Sequence, residues 1–511
     1  MHRLISFTLL FCWMALSLAA CRGQVSTPQN TLAPVPRTEL PSTLLPVASQ
    51  PAPQETPAPE QTPTQAQPQA ESPSQDLYQL TAVLNYTQHL LVVDEKIHYT
   101  NRQTEALPDL RLMIDPLYFP GAFTLKNISW GEGQIINDYT IETGQIQVNL
   151  PAPLQPGESL DLYINYELSL PSPQPSAEVR PVPFGYTARQ SNFVDWYPFI
   201  PPYLPGEGWL AHRAGFFGEH LVYETADFEV SIRLSEDTPN IIIAASAPAA
   251  RDGEWYHYQH KAARNFAWSA STEYQVSTTT VGETTIQSYA FPFHAAAGQA
   301  VLQTTAEALA LYNELYGTYP RGLLSVVEAD FLDGMEYDGL YFLSTDFYNW
   351  HKDSQADFIV ALAAHETAHQ WWYGLVGSDQ AMQPWLDEAL CTYSERIYYE
   401  NISPEALDWW WNYRVNYYQP QGWVDISIYD TPNAAGQYHL YRDPVYLKGA
   451  LFLEELRGLI GDETFFAALR DYAGRYAYRQ ADTAGFFDLL RQHTALNLTP
   501  VLSKYFSKFE Q

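Results

Sequence analysis

The sequence predicts an α+β multidomain chain, with an N-terminal antiparallel β-sandwich-like domain followed by a mainly helical one. Three features carry this reading. Over residues 77–279, apolar residues recur at every second position between turn-rich breaks. From 280 to 511 the apolar period lengthens to that of helices. Ahead of both, residues 21–76 have a composition that cannot bury a core. The 511 residues are 46% hydrophobic and 14% aromatic. That is enough apolar material for two cores, and at about 150 residues per domain it suggests two or three domains.

In the β region Tyr78, Leu80, Ala82, Leu84 and Tyr86 alternate with other residues, and "LLVVDEKIHYT" follows a short polar break. Further on, Phe228, Val230, Ile232 and Leu234 repeat the pattern. His257 and His260 fall in this region, where residues three apart point to opposite faces, so the pair reads as structural. In the second half "HAAAGQAVLQTTAEALALYNELYG" and "FIVALAAHETAHQWWYGLV" read as helices. Ser403 and Pro404 read as the N-cap and first-turn proline of "SPEALDWWWNYRVNYY", whose aromatics are expected in core and cleft wall. Residues 449–459, 462–473 and 484–496 are further helical candidates.

The N-terminus "MHRLISFTLLFCWMALSLAAC" has a short basic start, an apolar run and small residues before Cys21. It is read as a signal peptide over residues 1–20, too short to span a bilayer. Its ending resembles a bacterial lipobox, which implies cleavage before Cys21 and lipid on its sulfur. Lipid chains hold a protein at about 0.8 kcal/mol per buried CH₂. Twelve of the 37 prolines lie between residues 22 and 75, without aromatics, so this segment reads as a disordered tether. The expected location is the outer face of the cell membrane or the cell envelope, with membrane contact through the lipid alone. Only Cys391 is then left in the body, a small core residue, so burial rather than a disulfide supplies stability. The net charge of -31, from 27 basic and 58 acidic residues, argues against nucleic acid and anionic headgroups as partners.

The stretch "HETAHQWW" places His365 and His369 four apart, hence on one helix face. Two neutral imidazoles so placed can close on one divalent cation, and a hydrolytic zinc needs three protein ligands with a fourth position open. No histidine follows at the short spacing that would complete the set, so the third ligand comes from elsewhere. Glu388, nineteen positions after His369 in "QPWLDEALCTYSE", is the candidate.

H-E-x-x-H, eighteen residues, then E resembles the aminopeptidase N / leukotriene hydrolase-like family of zinc metallopeptidases, the gluzincins. "DGMEYDG" resembles that family's G-x-M-E-N segment, and "VYLKGALFLEEL" its Y-x-K-G motif. The likeness covers roughly residues 77–511. It implies a thermolysin-like, mainly helical zinc peptidase domain holding one Zn²⁺ on His365, His369 and Glu388. It also implies peptide substrates, with Glu366 as general base and Tyr446 donating to the oxyanion, and Tyr441 in reserve. Glu336 matches the glutamate that holds the substrate's free α-amine, and its strand, with Met335 and Gly334, would pair with the peptide backbone.

Two positions depart from the family pattern: Asp333 stands where it has Gly, and Tyr337 where it has Asn. A second amine-binding acid is expected near "GYTARQSNFVDWYPF", where only Arg189 and Gln190 stand. Amine recognition is therefore expected to rest on Glu336 alone, or with Asp333 as helper. Glu395 reads as solvent-face filler that could still stand behind the ligands. Removal of N-terminal residues is the reading drawn from this set. A metallo-endopeptidase and a non-catalytic peptide-binding surface lipoprotein are the alternatives.

Overall fold

The computed structural model describes residues 76–508 apart from 132, 173–181, 236–239, 433 and 435. The signal segment, Cys21 and the tether up to residue 75 lie outside the described residues. Strand Asp76–Asn85 alternates buried and partly exposed side chains, and Leu90–Thr100 continues the pattern, as a sheet covered on one face requires. They lie side by side in an eight-stranded sheet ordered 249–252, 255–263, 226–234, 76–85, 90–100, 159–169, 123–130, 134–135. The pairing of Asp76–Asn85 with Ala226–Leu234 is parallel, while its other neighbour runs antiparallel. A three-stranded sheet of Leu107–Met113, Gln145–Leu154 and Tyr139–Glu142 shares its core: Leu110, Ile146 and Val148 pack in one cluster with Leu80, Ile97 and Ile164. His257 bonds the Ser231 hydroxyl at the surface while His260 is buried, on opposite faces of the strand.

A five-stranded sheet follows, ordered Gln275–Val281, Thr284–Ala290, Leu323–Ala329, Leu340–Ser344, Gly334–Tyr337. The expected boundary at 279/280 therefore falls inside its first strand. Leu323–Ala329 is buried along its whole length, as expected of a strand covered on both faces. The split follows the two-residue period: Leu324 and Val326 pack into the helical core, whereas Val327 and Ala329 pack into the β core. Gly334–Tyr337 is an edge strand, paired only with Leu340–Ser344 among the described residues.

Helix Ala295–Tyr316 ends at Gly317, whose φ of +112° stops the helix without strain. Helix Phe358–Ala368 is N-capped by the Asp357 carboxylate, which accepts from the Ile359 amide. The sequence suggests that this helix continues through Val376. Instead it passes into a wider π-type turn at Gln370–Leu375, where the Gly374 amide reaches back to the His369 carbonyl at 2.8 Å and Trp372 leaves helical geometry. "SPEALDWWWNYRVNYY" is likewise not one capped helix. Ser403 makes no side-chain cap and donates to Gln355 instead, and the segment runs through short 3₁₀, α and π turns. Trp385–Ile402, Gly449–Ile460, Asp462–Arg475 and Thr483–His493 complete the main helical layer. Among the described residues no helix is long and apolar enough to cross a membrane.

Candidate metal centre

Helices Phe358–Ala368 and Trp385–Ile402 and the edge strand Gly334–Tyr337 meet at one cavity of about 470 Å³. His365 and His369, one turn apart, meet edge to face with ring centroids 4.8 Å apart and planes at 71°. Nε2 of His365 lies 3.2 Å and Nε2 of His369 3.7 Å from the same Glu388 oxygen, Oε2. Within this group one ligand atom from each residue lies within 4.8 Å of the others.

The far side of each ring fixes its tautomer. Nδ1 of His365 donates to Glu395 Oε1 at 2.9 Å, and Nδ1 of His369 donates to Asp387 Oδ1. A neutral imidazole that donates from Nδ1 turns a bare lone pair outward at Nε2. Two such lone pairs therefore face one and the same carboxyl oxygen of Glu388, whose own pKa burial pushes well up. Burial pushes His369 below its ordinary pKa, against the pull of Glu336 and Glu388, which disfavours a proton on that ring. A divalent cation satisfies all three donors at once, and carboxylates behind the rings are the usual way ligand histidines are oriented. The residues fit such an ion.

Glu395 is fully buried rather than solvent-facing. It takes Arg414 in a two-point grip, Nε to Oε2 at 2.9 Å and Nη2 to Oε1 at 2.7 Å, and also the Trp410 indole N–H at 2.8 Å. Burial alone would raise its pKa, but the Arg414 charge outweighs this and keeps it ionised. Asp387, not foreseen from the sequence, is held by Gln380, whose amide also reaches Glu336 Oε1 at 3.2 Å.

Glu366 points into the cavity with Oε2 buried and bonded to nothing among the described residues. Its other oxygen packs against the backbone of Gly334, where a Cβ would come within 2.1 Å. Burial and then the neighbouring Glu336 and Glu388 push its pKa well up. Tyr446, on a π-type turn at Asp443–Lys448, donates its hydroxyl to Glu388 Oε1 and lies face-on to the His365 ring. Tyr441 is also at the cavity, its hydroxyl buried and unpartnered among the described residues. Gly334, Met335 and the largely buried Glu336 line the same wall.

A further acid lines the cavity from a place the sequence did not indicate. Arg189 is ion-paired with Asp330 and stacked over Phe291, and Gln190 bonds Tyr274 and Asn192, all outside the cavity lining. Glu219, in the irregular stretch before strand Ala226–Leu234, lines the cavity instead, with Oε2 buried and unpartnered among the described residues. Its charge raises the Glu336 pKa, after burial and against the pull of His369. Gly218 allows this approach: φ is +76°, and a Cβ there would meet Ile428 at 2.5 Å and Tyr441 at 2.7 Å.

Residues 300–505 match the family model described as the Peptidase family M1 domain. Curated relatives include Aminopeptidase M1-A of Oryza sativa subsp. japonica, 27% identical over 236 residues, covering 43% of this chain and 26% of the relative. Aminopeptidase 2, mitochondrial, of Saccharomyces cerevisiae is 27% identical over 238 residues, 44% of this chain and 25% of its own length. The chain thus spans about a quarter of the length of these curated relatives. Among solved structures, the M1 zinc metallopeptidase from Deinococcus radiodurans shares the fold with a TM-score of 0.60 and 19% identity, over 84% of this chain and 93% of that one. A mutant of the Deinococcus enzyme bound to a Tyr-Ser-Ala substrate gives a TM-score of 0.59 at 18% identity, over 86% and 95% of the two chains.

Proposed function

We propose that this protein is a zinc-dependent aminopeptidase. The observation that carries the reading is the convergence of Nε2 of His365 and Nε2 of His369 on one Glu388 oxygen, beside the unpartnered Glu366 Oε2. The names of the relatives support the same class.

His365, His369 and Glu388 would hold the zinc, which when bound supplies Lewis acidity, lowering the pKa of water toward about 7 and polarising a carbonyl. Glu366 takes the proton of the attacking water and returns it to the leaving amine. The Tyr446 hydroxyl turns from Glu388 to the oxygen on which charge develops. Glu336 and Glu219 flank one end of the cavity and hold the positively charged chain terminus, while the edge strand Gly334–Tyr337 offers its backbone to the peptide. The paired acids favour an exopeptidase over an endopeptidase, because an internal peptide bond brings no cation to neutralise them.

Purified protein assayed on aminoacyl amides and on N-acetylated peptides, with and without a chelator, tests this. Chelator-sensitive release of free N-terminal residues is expected. Cleavage of blocked peptides alone would make it an endopeptidase, and inertness toward both a binding protein. We also propose export and lipid attachment at Cys21. Cys21→Ser should then move the protein from the detergent phase to the aqueous phase.

A further inference from the structure

We infer that Asp333 selects the residue that follows the scissile bond, favouring a cationic side chain there. This rests on the aminopeptidase reading above and extends it to the other end of the same cavity.

Among the described cavity-lining residues, Asp333 is the one non-glycine held at positive φ, +83°. Such a conformation strains an L-residue and persists only where the surroundings enforce it. The enforcement is visible: the Ser344 amide holds the Asp333 carbonyl at 2.9 Å, and the next residue, Gly334, is pressed against Glu366. The side chain is thereby thrown into the cavity. Its oxygens take the Gly334 amide at 3.1 Å and the Tyr438 hydroxyl at 3.5 Å.

The Asp333 charge is felt by Arg414 but makes no ion pair with it. At this end of the cavity Arg414 is spent on Glu395 and Arg442 on Asp443. Asp333 has no cationic side chain within ion-pair distance among the described residues. The order along the strand sets its position relative to the substrate. Glu336, with Glu219 near it, lies at one end, Glu366 faces Gly334, and Asp333 lies beyond. From Gly334 to Glu336 the strand spans about 7 Å, and Asp333 lies one residue beyond its start. A peptide with its ammonium at Glu336 and its first carbonyl at Glu366 brings its second side chain to Asp333.

The test uses three tripeptides that share one first residue and differ at the second: Lys, Leu or Glu. The zinc-loaded full chain should give kcat/KM in the order Lys, Leu, Glu, with the Lys-to-Leu ratio at about tenfold, as one charge-assisted contact supplies. Asp333→Asn and Asp333→Gly should both bring that ratio to about one. The glycine variant also relieves the backbone strain, which keeps the test independent of folding. The same ratios are read as dissociation constants, by calorimetry, in a Glu366→Gln background with and without the Asp333 changes. Selectivity is therefore measured even if the chain does not turn over. A Lys-to-Leu ratio of one in the wild type, or a ratio unchanged in both variants, overturns the inference. An equal loss for all three peptides also overturns it, because that outcome assigns Asp333 to the amine end.

Discussion

Nδ1 of His365 sits 2.9 Å from Glu395 Oε1, and the same carboxylate is locked by both arms of Arg414. Two turns of helix Trp385–Ile402 thus hold both sides of one ring: Glu388 in front and Glu395, seven residues later, behind. Glu395→Gln leaves the packing but weakens the acceptor that fixes the tautomer. Zinc affinity, measured by competition with a chromophoric chelator, should fall about 10–100-fold. Arg414→Lys should fall less, since lysine keeps the charge and loses the two-point grip. Affinity unchanged in Glu395→Gln would show that the ring needs no such support.

Glu366 touches no candidate ligand through a hydrogen bond, and its Oε2 has no partner among the described residues. Glu366→Gln should therefore retain one zinc per chain while kcat falls by about 10²–10⁴-fold, the range for a positioned proton-transfer group. Metal content by elemental analysis and steady-state rates on an aminoacyl amide give the two numbers. A variant that turns over normally rejects Glu366 as the base.

Gly334 offers a test of position rather than of chemistry. A Cβ there would lie 2.1 Å from Glu366 Oε1 and 2.8 Å from its Cδ. The Gly334→Ala side chain must displace the carboxylate, since the edge strand is tied to Leu340–Ser344. A misplacement of about 1 Å costs on the order of 10²-fold in rate. The expected result is a loss of that size in kcat with zinc content and thermal midpoint kept. Wild-type rates would mean that the strand moves instead.

How much of this is legible in the sequence follows from distance along the chain. His365, Glu366 and His369 lie within one helical segment, so spacing alone brings them together, and Glu388 follows on the next long helix. Glu395 could have been read too: seven residues from Glu388 is nearly two full turns, the same helix face. Glu219 could not, because it lies in an irregular stretch where no period says which way a side chain points, and tertiary packing alone brings it to Glu336. The π-type turns at Gln370–Leu375 and Trp410–Val415 were hidden for a related reason. Six residues are too few to separate a wide helical turn from an ordinary one by apolar period. The sheet was clearer in its pattern than in its limits: the hairpin Gln275–Ala290 looks like the preceding strands but pairs with those that follow.

The turn after the edge strand carries a pH signature. Asp338 is buried and takes Arg321 Nε on Oδ1 at 2.9 Å and Nη2 on Oδ2 at 2.7 Å, with the Arg264 amide on Oδ2 at 3.0 Å. Burial pushes this carboxyl up, but Arg321, with His260 beside it, outweighs burial and holds it well below the ordinary range. A carboxylate with a depressed folded pKa stabilises the native state fully above its unfolded pKa of about 3.9, and that stability disappears as pH falls through the folded value. Asp338→Asn removes the charge and leaves Arg321 buried without its partner, a loss of about 3–5 kcal/mol at pH 7. Denaturant unfolding of both proteins should show that gap level between pH 7 and pH 5, then narrowing below pH 4 as the wild type loses what the variant never had. A gap that widens on acidification would mean that Asp338 is protonated in the fold, and that Arg321 does not anchor the turn through it.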